Sequence, residues 1–172
     1  MIQIYCGDGK GKTTAAFGLA ARASQGGYKV VIAQFLKGRS SGEVSAVSSL
    51  PNVTLLTANL PDVFSWQMTP EQKTEVLEKH NDLLARAASH CGDHKTMLVL
   101  DELVGALAAQ LVDREAVLRL LREQGQRGNV EIVLTGRNPS EELLELADYV
   151  TEMKKVKHPF DKGVKLRKGI EY

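Results

Sequence analysis

The chain has 172 residues, enough for one domain with one sizeable core. Hydrophobic residues make up 43% and charged residues 25%, the balance of a soluble globular protein, and a net charge of +1 gives no bulk basic field to argue for nucleic acid or a membrane surface. Cys6 and Cys91 are too few for a disulfide framework and fit a reducing compartment. No apolar run is long enough for a bilayer and residues 1–5 read as a strand rather than a leader, so the expected setting is the cytoplasm, with neither nucleic acid nor membrane as a partner.

In chain order, residues 2–6 read as a short buried strand and residues 7–11 as a glycine-rich turn. Residues 12–24 form an alanine- and leucine-rich helix closed by Gly26 and Gly27. The continuous apolar run at 28–35 predicts a strand buried on both faces, residues 37–42 a polar loop, and residues 53–57 a further strand. Thr69 and Pro70 mark a helix start, as N-cap and first helical residue, with the helix running to about His90. Residues 96–100 form an apolar strand that ends at Asp101 and Glu102. A helix over 113–127, a strand over 130–135, a helix capped by Ser140 and running through Ala147, and a strand over 149–153 follow. Strands alternate with helices throughout, without repeat or linker. This predicts one α/β domain, residues 1–172, with a mainly parallel sheet covered by helices on both sides. The basic stretch 154–172 is either a solvated tail or a segment folded back over the site.

The strongest local signal is Gly7-Asp8-Gly9-Lys10-Gly11-Lys12-Thr13-Thr14, a phosphate loop between a strand and a helix. Its usual first glycine is replaced by Cys6, which reads either as a reactive thiol beside an anion or as a small residue filling the strand end. Glycines free the backbone so that loop N–H groups converge on phosphate oxygens at the positive end of the helix. Lys12 supplies a charge to the terminal phosphates and Thr13 a hydroxyl to a magnesium ion. The strand ending at Asp101 and Glu102 is expected beside the first strand, aiming an acid at that ion; both carboxylates can serve only if the strand ends there. The alternative is an acidic pair favoured by a helix N-terminus. These two motifs leave ATPase, small-molecule kinase and adenosyltransferase open.

Further segments carry a resemblance. They are GDGKGKTTAA at 7–16, QFLKG at 34–38, LDEL at 100–103, TGRNP at 135–139, ADYVTE at 147–152, VKHPFDKG at 156–163 and KGIEY at 168–172. With them the chain resembles the bacterial P-loop-type ATP:corrinoid adenosyltransferases, which act on cob(I)alamin or cob(I)yrinic acid a,c-diamide. The resemblance implies a RecA-like P-loop fold, usually as a homodimer. It also implies transfer of the 5′-deoxyadenosyl group from ATP to Co(I) of a corrinoid, with release of triphosphate. The corrinoid is a substrate, ATP a co-substrate, magnesium (or manganese in its place) the metal, and a reduced flavoprotein the electron donor.

On this reading Gly7, Asp8, Gly9, Lys10, Gly11, Lys12, Thr13, Thr14 and Arg137 bind nucleotide. Lys12, Thr13 and Glu102 are catalytic, and Thr13, Asp101 and Glu102 face the metal. Val63-Phe64-Ser65-Trp66 matches an aromatic segment of the family near the corrinoid. Phe64 and Trp66 would share one face of an extended segment and shield the lower cobalt face; the alternative is a pair of ordinary core aromatics. Arg137 reads equally as a phosphate or ribose contact and as a surface salt bridge, and Lys37 and Arg39 as substrate contacts or solvated charges. His158, before Pro159, is read as structural and not as a cobalt ligand. Some relatives carry an N-terminal segment ahead of the first strand, so the cover of the corrinoid pocket is expected from the 154–172 tail or a dimer partner.

Overall fold

The computed structural model describes residues 1–37, 46–47, 49–60, 63, 65–165, 167 and 169–170. Six strands form one sheet: β1 (Ile2–Cys6), β2 (Lys29–Gln34), β3 (Val53–Thr57), β4 (Thr96–Asp101), β5 (Val130–Thr135) and β6 (Tyr149–Glu152), in the order β3-β2-β4-β5-β1-β6. Every pairing is parallel, with Ile4 opposite Leu134 and Ala33 opposite Leu100. Five α-helices are described: α1 (Lys12–Gln25), α2 (Pro70–Ala88), α3 (Leu103–Ala108), α4 (Arg114–Gly125) and α5 (Glu141–Leu146).

Burial explains the strand order. All of β4 and nearly all of β5 are buried, so these two apolar runs take central places. The four residues of β6 are exposed and β3 is only partly covered, and these lie at the edges. One consequence corrects an expectation: β4 does not lie beside β1, because β5 is hydrogen-bonded between them.

The sheet is covered unequally. On one face Ala16, Phe17 and Ala20 of α1 pack on Val30, Ile32, Met97, Val99 and Val133. On the other, α2, α3, α4 and α5 together bury Ile4, Val31, Leu98, Leu100, Ile132 and Leu134. Each such Leu or Ile contributes about 1.5–3 kcal/mol through removal from water.

Local chemistry sets most boundaries. Thr69 Oγ1 accepts from the Gln72 N–H and Gln72 Oε1 accepts from the Thr69 N–H, a reciprocal cap that starts α2 with Pro70 in its first turn. The helix ends at Ala88, two residues before the expected His90. Asp113 Oδ1 accepts from the N–H groups of Glu115 and Ala116 and starts α4, whereas Ser140 precedes α5 without a side-chain bond. Three elements go beyond the sequence expectation: α3 and two 3-10 turns, Ser65–Gln67 and Pro159–Lys162. Trp66 therefore sits on a helical turn and not on an extended segment.

Candidate active site at the phosphate loop

The site gathers at the carboxyl ends of the parallel strands, where ligands of such sheets collect. Residues 7–11 join β1 to α1. Gly11 is the N-cap of α1 at φ 112° and offers no side chain, so the first-turn N–H groups of a 14-residue helix have no side-chain cap. Uncapped donors at the positive end of a helix are what an anion needs. Gly7 also has a positive φ, 97°, which a side chain would strain.

Gly9 does not lie in the left-handed region, and its requirement is different. A Cβ there would lie 2.5 Å from the Met153 carbonyl oxygen and 2.9 Å from the Lys154 carbonyl carbon. The chain leaving β6 presses onto the loop, fixed by Gly9 N–H donating to Met153 O (2.6 Å) and Met153 N–H donating to Cys6 O (2.8 Å). Of the two readings of 154–172, the start of that stretch is folded onto the site. His158 Nδ1 accepts from the Phe160 N–H and starts the second 3-10 turn, a structural role.

Lys12 Nζ donates to Gly7 O (2.7 Å) and Gly9 O (2.9 Å), so its ammonium spans the loop. Thr13 Oγ1 donates to Asp101 Oδ1 (2.9 Å), which ties the loop to the end of β4. Asp101 is fully buried, and among the described residues its carboxylate accepts from two strand ends, the first turn of α1 and the segment after β2. Oδ1 also receives Thr135 Oγ1 (2.8 Å), while Oδ2 receives Gln34 Nε2 (3.1 Å) and Lys37 Nζ (2.9 Å). A buried carboxylate is tolerated when it is paired and hydrogen-bonded on both oxygens, and here it is. The sequence pointed to Thr13, Lys37 and Asp101. It assigned no role to Gln34 or Thr135, although each is a polar residue ending an otherwise apolar strand, which was the available signal.

The strand does end at Asp101. Glu102 turns into the left-handed region (φ 61°), its N–H donates to Thr135 Oγ1 (2.8 Å), and it opens the six-residue helix α3. Its side chain therefore escapes the strand alternation that would have sent it away from Asp101. Burial, then the neighbouring Asp101 charge, pushes the Glu102 carboxyl above the ordinary range; Lys37, Lys12 and Arg137 partly offset this.

Arg137 lies 3.6 Å from Asp8, an ion pair between two well-exposed side chains. The salt-bridge reading is what the geometry shows, and it places the guanidinium across the loop. Lys10 and Thr14 are exposed. Cys6 is buried, and burial followed by Glu152 raises its thiol pKa against the opposing effect of Lys12. It fills the strand end and is not a poised thiolate. Trp66 is 75% exposed, which removes the core-aromatic reading for that residue. Phe64 and Arg39 lie outside the described residues.

Among the described residues no group of three or more His, Cys, Asp or Glu could hold a metal ion unaided. Magnesium that keeps waters and leans on phosphate oxygens needs no such cage. Thr13 Oγ1 gives its proton to Asp101, which leaves oxygen lone pairs for a cation, so the donor set fits magnesium brought in with a nucleotide. No described helix is long and apolar enough to cross a membrane.

Comparison with known proteins agrees with this geometry. The family model described as ATP:corrinoid adenosyltransferase BtuR/CobO/CobP matches residues 1–172. A corrinoid adenosyltransferase of Escherichia coli strain K12 is 35% identical over 175 residues, covering 100% of this chain and 85% of the relative. Corrinoid adenosyltransferases of Salmonella typhimurium (34%, covering 85% of the relative) and a Sinorhizobium species (33%, covering 80%) also align along the whole chain. A phosphate loop tied through a buried aspartate to the tips of three further strands, on a chain matched end to end, makes this protein a member of the ATP:corrinoid adenosyltransferase family.

Proposed function

We propose that the phosphate loop grips the triphosphate of ATP as a leaving group while the ribose C5′ faces the cobalt of a corrinoid, the reaction that defines the family. Co(I) carries an electron pair and no proton, so its attack on C5′ needs no general base. The new Co–C bond forms as the C5′–O bond breaks, cobalt rises from Co(I) to Co(III), and the released pair resides on triphosphate. Negative charge grows on the oxygen between C5′ and the α-phosphorus. Lys12, the remaining loop N–H groups and the uncapped start of α1 would stabilise it. Magnesium, when bound, supplies further charge neutralisation on the phosphate oxygens. Thr13 would hold it, with Asp101 and Glu102 behind, and Arg137, paired with Asp8 across the loop, would meet the nucleotide.

The observation that carries this reading is the Asp101 cluster, which brings Thr13, Gln34, Lys37 and Thr135 to one carboxylate beside the loop. Trp66, exposed on a short helical turn, suits a flat corrin face, and we assign it and Phe64 to shielding the lower side of cobalt. A homodimer, a reduced flavoprotein as electron donor and a cytoplasmic setting complete the proposal. Cys6 and Cys91 are both free, in keeping with a reducing compartment.

The test is incubation with ATP, magnesium and chemically reduced cobalamin. Appearance of a light-sensitive alkyl-cobalt spectrum with stoichiometric triphosphate supports the proposal. Release of orthophosphate or ADP without a Co–C bond would replace it with phosphoryl transfer.

A further inference from the structure

His80 lies on α2, away from the phosphate loop, and its side chain is fully buried. A buried imidazole is costly unless both nitrogens find partners. Both do: Nε2 lies 3.2 Å from the Leu36 N–H nitrogen and Nδ1 lies 2.7 Å from Leu111 O. An amide only donates and a carbonyl only accepts, so the ring must be neutral, with its proton on Nδ1 and a bare Nε2. The ring also packs on Phe35, with centroids 5.2 Å apart.

The bond to Leu36 falls where the chain does something uncommon. β2 ends at Gln34, and Phe35 N–H still pairs with Asp101 O (2.9 Å). Leu36 then turns at φ 58°, a conformation most side-chain-bearing residues avoid. One residue later Lys37 Nζ reaches back to Asp101 Oδ2 at 2.9 Å. Without the turn at Leu36 the chain would run on past the sheet and carry Lys37 away from Asp101.

We propose that His80 is a positioning residue for this site: it holds the left-handed turn at Leu36 by accepting its N–H, and the turn delivers Lys37 to Asp101. The chain of contacts runs from His80 through Leu36 and Lys37 to Asp101 and thence to Thr13 of the loop. His80 touches no substrate on this account and acts only through Lys37. The inference rests on the proposed function in so far as Lys37 and Asp101 belong to the catalytic site.

Two amide side chains separate positioning from simple packing. His80→Gln reaches about as far as Nε2 and can still accept from Leu36, whereas His80→Asn reaches only the Leu111 side. Each would be measured alone and combined with Lys37→Ala, reading kcat with reduced cobalamin and, separately, the dissociation constant of a non-transferable ATP analogue with magnesium. His80→Asn is expected to lower kcat about tenfold and His80→Gln to recover most of it. In the Lys37→Ala background the two should differ by less than about twofold, because contacting residues couple. Equal activity of the Asn and Gln variants, or an undiminished Asn effect without Lys37, would overturn the proposal. If the unaltered protein forms no alkyl-cobalt product, the functional reading fails on its own. The same cycle on analogue binding then judges His80: coupling to Lys37 keeps the proposal and additivity overturns it.

Discussion

Gly9 lies directly beneath Met153: its N–H donates to the Met153 carbonyl at 2.6 Å, and a methyl group in place of its hydrogen would meet that oxygen at 2.5 Å. The neighbours are backbone atoms, so no side chain can swing aside. Gly9→Ala should therefore destabilise the fold by about 1–3 kcal/mol, the usual range for overpacking. Thermal unfolding would register this as a drop of several degrees for a chain of this size. Gly11→Ala makes a useful contrast, since only the flexible Met153 sulfur is near (3.6 Å) and its cost arises from φ 112° instead.

Lys12→Ala removes the ammonium that bridges Gly7 O and Gly9 O. On the proposed function this charge serves the leaving group, so kcat/KM with ATP should fall by at least about 10²-fold, comparable to loss of one oxyanion donor. Lys12 is itself partly exposed, so water can take the place of its ammonium against the two carbonyls, and the unfolding midpoint should move little. A large fall in midpoint with activity retained would contradict the assignment.

Asp101→Ala should be the most damaging single change at the site for stability. It would leave Lys37, Gln34, Thr13 and Thr135 without their common acceptor at a fully buried position. Breaking a buried, hydrogen-bonded charge pair costs about 3–5 kcal/mol. Chemical denaturation would show the loss as a lower midpoint with an unchanged slope.

Trp66→Ala should leave stability within about 0.5 kcal/mol of the parent, because the side chain is largely exposed. On the proposed function its effect falls on the corrinoid. The reaction begun from Co(II) with a reductase should suffer more than the reaction begun from chemically prepared Co(I). Equal losses in the two assays would remove the shielding role.

His80 supplies a pH dependence of stability. Burial lowers its folded-state pKa below the ordinary 6.5, against the smaller opposing effect of the Leu111 bond. A depressed histidine pKa means that the unfolded chain binds the proton more readily. The stabilising contribution is complete above the unfolded value, about 6.5, and is lost as pH falls through the folded pKa. Unfolding midpoints measured from pH 7.5 to 5 should decline more steeply for the parent than for His80→Gln. Parallel curves would show that His80 does not carry the dependence.

Much of the fold was legible locally. Thr69 and Pro70 announced the start of α2, and the apolar runs of β2, β4 and β5 marked themselves as buried strands. The order of those strands was not legible, since an apolar run says that a strand is central without saying which strands flank it. Helix α3 was hidden because its start depends on Glu102 turning left-handed, a conformation fixed by Thr135 from another strand. Asp101 and Thr13 could be paired from motif logic, but Gln34 and Thr135 join them only after the sheet has formed. The contact of Met153 with Gly9 and the bond of His80 to Leu36 are likewise long-range, 144 and 44 residues apart along the chain, and no local pattern encodes them.

The insertion of β5 between β1 and β4 sets a dimension. The loop after β1 and the carboxylate ending β4 are separated by two interstrand spacings, about 9–10 Å at the sheet, and Thr135 at the tip of β5 fills the interval. The distance between the two strand ends is thus ruled off by the hydrogen-bond ladder itself. A change in sheet twist anywhere along those three strands would alter that gauge without touching a single ligand-facing side chain.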